Sequence, residues 1–160
     1  MKYNFNMSRR QQYPKTMKLF HVSTLCHDGE MFLPRPMDKD SVMEGENWKA
    51  KRICVSDSID GAVSAIVDSI SNFTGLKLYV HEPENLESLV KKHKVYKPNV
   101  KQVPDCEVTG EHWLKAPAKM KCIGQIEILG IDLDSKLEYM WYGSKTSMDR
   151  FKWRWINEEA

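Results

Sequence analysis

The chain has 160 residues, of which 41% are hydrophobic and 29% charged, and its formal net charge is +2. This length predicts one domain that buries about 70% of the surface of its unfolded chain, so folding requires neither a metal nor a disulfide. The balanced charge does not indicate a nucleic-acid-binding protein. Because the sequence has no apolar run of membrane-spanning length and no secretory signal, we expect a cytoplasmic protein that contacts no membrane.

The chain begins with a segment unlike the rest. Residues 1–16 are polar and basic and have little periodicity, which predicts a flexible arm ahead of a single domain over residues 17–160. Residues 18–23 then predict a strand. Residues 26–51 are polar, contain several prolines and have no regular pattern. A loop of this length inside a domain is typical of a functional segment, such as one that covers a ligand.

The middle of the chain alternates between strand and helix patterns. Residues 52–56 predict a strand, and Asp57 or Ser58 is placed to cap a helix with apolar residues at positions 59, 62, 63, 66, 67 and 70. Residues 76–81 predict a strand and residues 85–92 a short helix. Residues 103–109 are expected to be extended, and residues 110–115 to form a turn and a short strand.

The last third of the chain predicts further strands. Residues 122–129 alternate between apolar and polar side chains, as a half-buried strand does. Phe151, Trp153 and Trp155 alternate with basic residues; we interpret this as a closing strand with its aromatic face on the core, rather than a surface that stacks on nucleic acid bases. The predicted fold class is α+β, with mostly strands and few helices.

Three short motifs contain residues that could carry chemistry. His21 lies in the apolar strand Phe20-His21-Val22-Ser23, Ser56 ends the strand before the predicted helix, and Glu111 follows Gly110 just before Trp113. Taken singly, each has an ordinary structural interpretation: a buried histidine, a helix N-cap and a solvated carboxylate.

Taken together and in this order, the motifs resemble the histidine-type branch of the ADP-ribosyltransferase superfamily. The similar stretches are Leu19-Phe20-His21-Val22-Ser23, Ile53-Cys54-Val55-Ser56 with the helix that follows, and the run that starts at Glu111-His112-Trp113. The resemblance covers roughly residues 18–129. It implies two small packed, mostly antiparallel sheets with a cleft between them that binds NAD.

The resemblance also implies roles for individual residues. Glu111 would act at the ribose hydroxyls, where a carboxylate stabilises the positive charge that develops as the bond to nicotinamide breaks. His21 would bind the adenosine-side ribose, the adjacent strand backbone at Val22 and Ser23 would hold the nicotinamide amide, and Ser56 would fix the nicotinamide side. Arg35 and Arg52 are the nearest candidates in sequence to bind the diphosphate.

Two features depart from the family pattern. The helix after Ser56 has no aromatic residue to stack on nicotinamide, and Tyr79, Trp48 and His112 are alternatives for that role. The glutamate also has alternatives, since Glu107 and Glu127 lie nearby. Glu111 fits best because of its neighbours Gly110 and Trp113.

The leading hypothesis is an NAD-dependent ADP-ribosyltransferase with a macromolecular target, a host protein ahead of a nucleic acid. The stretch 17–23 also resembles the start of phage-borne anti-CRISPR ADP-ribosyltransferases, which implies a phage or mobile-element effector acting against host defence in the host cytoplasm. One alternative is a non-enzymatic protein that binds a nucleotide or a partner on the same fold. A second is an NAD-dependent RNA 2′-phosphotransferase, a reaction that relies on several basic contacts.

The cysteines predict no metal centre. Cys26, Cys54, Cys106 and Cys122 are scattered and form no CxxC pair, whereas structural zinc sites use paired ligands at short spacing. In a chain without an export signal we expect reduced thiols. A Cys–His nucleophile pair stays open as an alternative, although no local signature supports it.

Overall fold

A computed structural model of the chain describes residues 17–67 and 73–156; the predicted basic arm at residues 1–16 and the apolar position 70 lie outside these ranges. The described strands are β1 (His21–Ser23), β2 (Met31–Phe32), β3 (Ile53–Ser56), β4 (Lys77–Pro83), β5 (Val95–Tyr96), β6 (Glu111–Leu114), β7 (Ala118–Trp141) and β8 (Ser144–Trp155). The helices are α1 (Ile59–Val67), α2 (Leu86–Lys91) and α3 (Cys106–Thr109), with a 3-10 turn at Lys39–Ser41. No helix within the described ranges is long and apolar enough to cross a membrane.

The strands form two antiparallel sheets. The larger sheet has the order β1-β4-β7-β2, and β8 pairs with β7. The smaller sheet has the order β3-β6-β5. The predicted α+β class with few helices is therefore confirmed.

The two sheets meet where β1 begins and β3 ends. The amide of Phe20 donates to the carbonyl of Ser56 at 2.7 Å, and the amide of Ser56 donates to the carbonyl of Phe20 at 2.9 Å. One residue later the chain joins the larger sheet, because His21 pairs with His81 on β4. This bridge places the first and second sequence motifs side by side.

Two main hydrophobic clusters hold these layers together. One packs α1 on the larger sheet, and its buried members are Val22, Ala62, Val63, Val67, Leu78, Val80, Ile126, Ile128 and Phe151. The other joins both sheets with α2 and the segment before β1, and its buried members are Leu19, Ile53, Val55, Leu89, Val95, Leu114, Ala118 and Met120. Since burial of apolar area is the main stabilising contribution to folding, these clusters determine where the sheets sit.

Helix α1 begins as its sequence predicts. The hydroxyl oxygen of Ser58 accepts a hydrogen bond from the amide of Gly61 at 2.9 Å, which is the N-cap geometry. The helix turns Ala62, Val63 and Val67 toward the larger sheet at helical spacing. Of the two expected caps, Ser58 is therefore the one that makes this bond.

One predicted element is wrong. Residues 103–109 were expected to be extended, but Cys106–Thr109 form the helical turn α3. Val103 and Cys106 are three residues apart and both buried, so a helical turn puts both against Trp113. Gly110 ends the turn with a φ of 67°, a left-handed conformation that glycine adopts without strain.

The end of the chain forms a long hairpin. β7 extends twelve residues beyond the predicted segment 122–129, to Trp141, and turns back into β8 through Tyr142 and Gly143. These two residues have φ values of 50° and 78°, as a two-residue hairpin turn requires. Phe151 is buried and Trp153 packs on the α1 cluster as predicted, whereas Trp155 is 45% exposed.

Candidate functional site

An open cavity of about 1000 Å³ lies at the junction of the two sheets. Its floor comes from β1, β3, β6, α1 and the end of α3. Its outer walls come from the loop before β3, from Asp105 at the start of α3 and from the β7–β8 hairpin. Lining residues from the floor are Phe20, His21, Val22, Cys54, Val55, Ser56, Ala62, Ala65, Ile66, Thr109 and Glu111. Those from the walls are Met37, Asp40, Val42, Met43, Glu46, Asp105, Lys136, Tyr139, Ser147, Met148 and Asp149.

The three residues at the centre of the sequence hypothesis all line this cavity. His21, Ser56 and Glu111 lie on three different strands and are separated by 35 and 55 residues in the sequence. Ser56 and Glu111 are direct partners in the β3–β6 register, so their side chains share one face of the smaller sheet. Phe20 links Ser56 to β1, and His21 follows at once.

The Glu111 carboxyl group is largely buried and has a specific hydrogen-bond donor. The indole Nε1–H of Trp113 donates to Oε2 of Glu111 at 2.6 Å. Burial raises the pKa of Glu111 to about 7, the Trp113 hydrogen bond acts in the opposite direction, and the nearby Glu46 carboxylate raises it further. A carboxyl group with this pKa exchanges a proton near neutral pH, which is the usual condition of a group in acid–base or electrostatic catalysis.

Trp113 itself is packed against two neighbouring side chains. The guanidinium carbon of Arg52 lies 4.5 Å from the centre of the Trp113 ring, and the Tyr96 ring lies 5.6 Å from it. Trp113 is 1% exposed. Because its ring cannot turn freely between these neighbours, its N–H is fixed toward Glu111.

Arg52 belongs to this support and lies outside the cavity lining. Its guanidinium donates to Oε2 of Glu46 at 2.9 Å and to the carbonyl oxygens of Asn47 and Ala50, and its side chain is 0% exposed. Arg52 was expected to bind the diphosphate, but its guanidinium is buried and already bonded to Glu46 and to backbone carbonyls. Sequence proximity suggested that role, but the burial of the side chain against Trp113 depends on the tertiary fold.

His21 is a neutral hydrogen-bonding group. Burial lowers its pKa to about 4, and the neighbouring histidines His27 and His81 lower it further. Its Nδ1 lies 3.5 Å from the carbonyl oxygen of Cys54, and its ring meets Phe32 edge-on at 5.0 Å between centroids. At physiological pH the imidazole therefore offers a donor and an acceptor but no charge.

The hydroxyl of Ser56 joins the ends of three elements. It donates to the carbonyl oxygen of Thr109 at the end of α3 and accepts from the amide of Ser58 at 3.3 Å, and the residue is 4% exposed. In this position Ser56 holds β3, the start of α1 and the end of α3 together. The cavity thus gains a defined geometry next to Glu111.

The other residues expected to bind the cofactor are divided between the cavity and the surface. Val22 lines the cavity, while Ser23 lies outside it and contacts Nε2 of His27 through its hydroxyl at 3.1 Å. Arg35 is exposed and pairs through its backbone with Arg52, outside the described lining.

The aromatic residues expected to stack on nicotinamide also lie elsewhere. Tyr79, Trp48 and His112 are outside the described cavity lining, and His112 points to the opposite face of β6 from Glu111. The aromatic residues that do line the cavity are Phe20 and Tyr139. Tyr139 could not be identified from its own segment, because its place depends on how the hairpin folds over the sheet.

The alternative glutamates are placed away from the cavity. Glu107 is exposed on α3, and Glu127 is bound by Arg154 at 2.7 and 3.0 Å on the larger sheet. Four further acidic residues line the cavity together with Lys136, and no motif of the sequence marks them: Asp40, Glu46, Asp105 and Asp149. The charged lining is therefore mainly acidic.

The cysteine in the cavity is a poor nucleophile. Burial, followed by the Glu111 charge, raises the pKa of Cys54 to about 12, and burial raises that of Cys106 to about 11. The thiolate is the reactive form of cysteine, so both side chains are inert thiols at neutral pH. The Cys–His nucleophile alternative gains no support from either residue.

Comparison with known proteins adds no relationship to these observations. No protein-family model matches the chain, no curated protein is similar to it, and no solved structure matches its fold.

Proposed function

We propose that this protein is an NAD-dependent ADP-ribosyltransferase with a macromolecular target. The observation that carries the proposal is the meeting of His21, Ser56 and Glu111 in one cavity, from three separate segments. Each residue alone has a structural interpretation, but together they surround a space with a carboxylate, a hydroxyl and a neutral imidazole. The order of the three motifs, and the two sheets that carry them, agree with the ADP-ribosyltransferase resemblance of the sequence.

The cavity has properties that suit part of an NAD molecule. Its volume of about 1000 Å³ lies at the upper end of the range of about 300–1,000 Å³ that is typical of small-molecule sites. Phe20 and Tyr139 offer aromatic surfaces for a flat ring, and Glu111 offers a carboxylate for ribose hydroxyls. Among the described lining residues Lys136 is the basic one, so the diphosphate would depend on Lys136 and on backbone amides.

The roles of the side chains follow from their protonation. Ionised Glu111 accepts hydrogen bonds from ribose hydroxyls and stabilises the positive charge on that sugar as the bond to nicotinamide breaks. Neutral His21 donates or accepts one hydrogen bond with the adenosine-side ribose and adds no charge to the cavity. Trp113 keeps the Glu111 carboxylate in place, and Ser56 keeps the strands that carry both groups together.

The acidic lining distinguishes this proposal from the RNA 2′-phosphotransferase alternative. An enzyme that binds an RNA backbone needs several cations to neutralise phosphates. Four further carboxylates, on Asp40, Glu46, Asp105 and Asp149, line the cavity beside Glu111. We therefore favour transfer to a protein side chain, and the resemblance at residues 17–23 directs the search for that target to the host proteins of a phage or mobile element.

The test is to incubate the purified protein with NAD and bacterial lysates, and to measure nicotinamide release and new ADP-ribose modifications by mass spectrometry. Wild type, Glu111→Gln and Glu107→Gln are compared. Glu107 is an exposed glutamate outside the cavity, so its variant controls for loss of a carboxylate. We expect modification by wild type and Glu107→Gln, and at least a ~100-fold loss with Glu111→Gln while NAD affinity is retained.

Two other outcomes would count against the proposal. NAD binding that is unchanged in every variant, with no nicotinamide release from wild type, would identify a non-enzymatic nucleotide-binding protein. Equal modification by wild type and Glu111→Gln would remove Glu111 from the reaction.

A further inference from the structure

A cluster of two cysteines and a histidine lies on the larger sheet. One ligand atom each from Cys26, His81 and Cys122 lies within 4.8 Å of the other two. His81 and Cys122 are direct partners in the β4–β7 register, and Cys26 follows β1, which pairs with β4 on the other side. The sheet thus brings together residues that are 55 and 41 positions apart, so their sequence spacing gives no sign of the cluster.

The hydrogen bonds of His81 leave one ring nitrogen as an acceptor. Its Nδ1 lies 3.2 Å from the carbonyl oxygen of His21, which only an N–H can satisfy. Its Nε2 lies 2.9 Å from the amide of His27 and accepts from it, so the lone pair of the ring is on Nε2. In metal-binding histidines one nitrogen likewise donates to a backbone carbonyl and the lone pair of the other binds the ion; in His81 that lone pair is held by the His27 amide, which a metal ion must displace.

The types of donor indicate the ion. Two thiols and one imidazole are soft and intermediate ligands, which favour zinc over the oxygen-preferring magnesium and calcium ions. Deprotonation of both thiols supplies two negative charges that balance Zn²⁺. His81 is 0% exposed and Cys26 is exposed, so the cluster extends from the protein interior to solvent.

We propose that Cys26, His81 and Cys122 form a zinc-binding site. Zinc bonds form from both sulfur atoms and from Nε2 of His81, two protons leave the thiols, and no atom changes its oxidation state. A tetrahedral ion has one further position, which a water molecule fills on the exposed side. The amide of His27 loses its acceptor on Nε2, so the loop after β1 shifts locally as the ion binds.

The site would act on the structure around His21. The carbonyl of His21 accepts from His81, while the His21 side chain lines the cavity. Cys26 lies in the loop directly after β1, the strand that carries His21. An ion that links Cys26 to His81 on β4 and to Cys122 on β7 therefore fixes this loop. Because the ion binds the folded chain, it stabilises the native state by mass action.

The test uses the full-length protein, reduced and freed of metal by a chelator, then dialysed against ZnCl₂. Bound zinc is measured by elemental analysis, and a parallel sample with Co²⁺ is examined for thiolate-to-metal absorption. The variants are Cys26→Ser, Cys122→Ser and the control Cys106→Ser, in which a buried cysteine outside the cluster is replaced. We expect one zinc per wild-type or control chain, and an affinity lower by about 100-fold or more in the two cluster variants.

Two results would overturn the proposal. One is that reduced wild type binds no stoichiometric zinc. Formation of a Cys26–Cys122 disulfide as soon as the reductant is removed, with no zinc bound, counts as the same outcome. The other is equal zinc binding in all four proteins. Since Cys26 is exposed, its variant is expected to fold even if the Cys122 variant does not, and circular dichroism of each variant checks this. None of these measurements depends on ADP-ribosyltransferase activity.

Discussion

Glu111 is held in an environment that opposes its ionised form. Below pH 4.5 it is protonated in both the folded and the unfolded chain, so its pKa shift has no effect on stability there. As pH rises from 4.5 through about 7, the unfolded chain ionises more readily than the folded one, and the free energy of unfolding falls. The carboxylate that the proposed function needs therefore destabilises the fold at neutral and alkaline pH.

We expect Glu111→Gln to raise the melting temperature at pH 8 by at least about 2 °C and to leave it nearly unchanged at pH 4. Glutamine keeps an oxygen that can accept from Trp113 and removes the buried charge. Thermal unfolding followed by circular dichroism at both pH values measures this, with Glu107→Gln as the control. A lower melting temperature at pH 8 would show that the carboxylate is stabilised by its surroundings.

Trp113 influences Glu111 through its indole N–H. The hydrogen bond from this N–H stabilises the ionised Glu111 carboxylate. Trp113→Phe removes the donor, so the pKa of Glu111 rises further. On the proposed function, the pH profile of nicotinamide release should shift to higher pH, with a smaller change at alkaline pH where Glu111 is ionised in both proteins. Trp155→Phe, at an exposed residue of β8, is the matched control. A uniform loss of rate at every pH would instead indicate a packing role.

At the scale of elements, the position of α1 depends on Gly61, which is needed for its lack of a side chain and not for a left-handed backbone. A Cβ atom on Gly61 would overlap the carbonyl oxygen of Thr109 and lie 2.6 Å from the hydroxyl oxygen of Ser56. Gly61 thus allows the first turn of α1 to approach the end of α3, and this approach places Ser56 next to Glu111. Backbone atoms on α3 cannot move away as a flexible side chain would.

We expect Gly61→Ala to lower the free energy of unfolding by about 1–3 kcal/mol, although alanine has the higher helix propensity. Urea denaturation measures the change, and Ala65→Ser in the same helix is the control because Ala65 is exposed. An unchanged or increased stability would mean that α1 and α3 can separate without cost.

The elements that depend on local pattern were predictable from the sequence. The cap at Ser58 and the alternation in the first half of β7 follow from neighbouring residues. The turn α3 was predicted wrongly because its helical form is stabilised by burial of Val103 and Cys106 against Trp113, a residue of another element. The short strand β2 depends on pairing with Ala118 and Lys119 far along the chain, which no local pattern reveals.

The candidate site was likewise predictable only where short motifs of the sequence carry it. The resemblance named His21, Ser56 and Glu111, which line one cavity, but Tyr139 and Lys136 enter it only through the fold of the hairpin. Burial of Arg52 depends equally on tertiary contacts. The cluster at Cys26, His81 and Cys122 is a product of strand register.

At the scale of the whole molecule, the β7–β8 hairpin serves two regions. Near its base, Ile128 and Phe151 belong to the core cluster, whereas residues 136–149 include the outer wall of the cavity. Register shifts after Ile128 and after Asp132 separate these regions. At the tip, a Cβ on Gly45 would overlap the hydroxyl of Tyr142, so the hairpin rests on the loop before β3.

We expect that the outer hairpin can be removed without unfolding the core. Residues 133–149 are replaced by Asn-Gly, which joins the paired residues Asp132 and Arg150 through a two-residue turn. The melting temperature should stay close to that of wild type, while affinity for NAD, on the proposed function, should fall by about tenfold or more. Thermal unfolding and calorimetry measure the two effects.

The control for this deletion is a single change at the tip, Tyr142→Asn, which removes the contact with Gly45 but keeps the hairpin, because asparagine suits the left-handed backbone of the turn. It should retain ligand binding. Full affinity in the shortened protein would show that the floor of the cavity is sufficient for binding, and a large loss of stability would show that the hairpin is part of the folding unit.

The hairpin also determines when the cavity is completed during protein synthesis. The floor of the cavity is encoded by residues 20–111, but its outer wall includes Ser147, Met148 and Asp149, close to the end of the described chain. A nascent chain that has exposed β1 to β6 therefore lacks this wall until β8 leaves the ribosome and pairs with β7. Any activity that depends on the complete cavity is therefore delayed until β8 has been synthesised, and messages cut short before β8 yield chains without it.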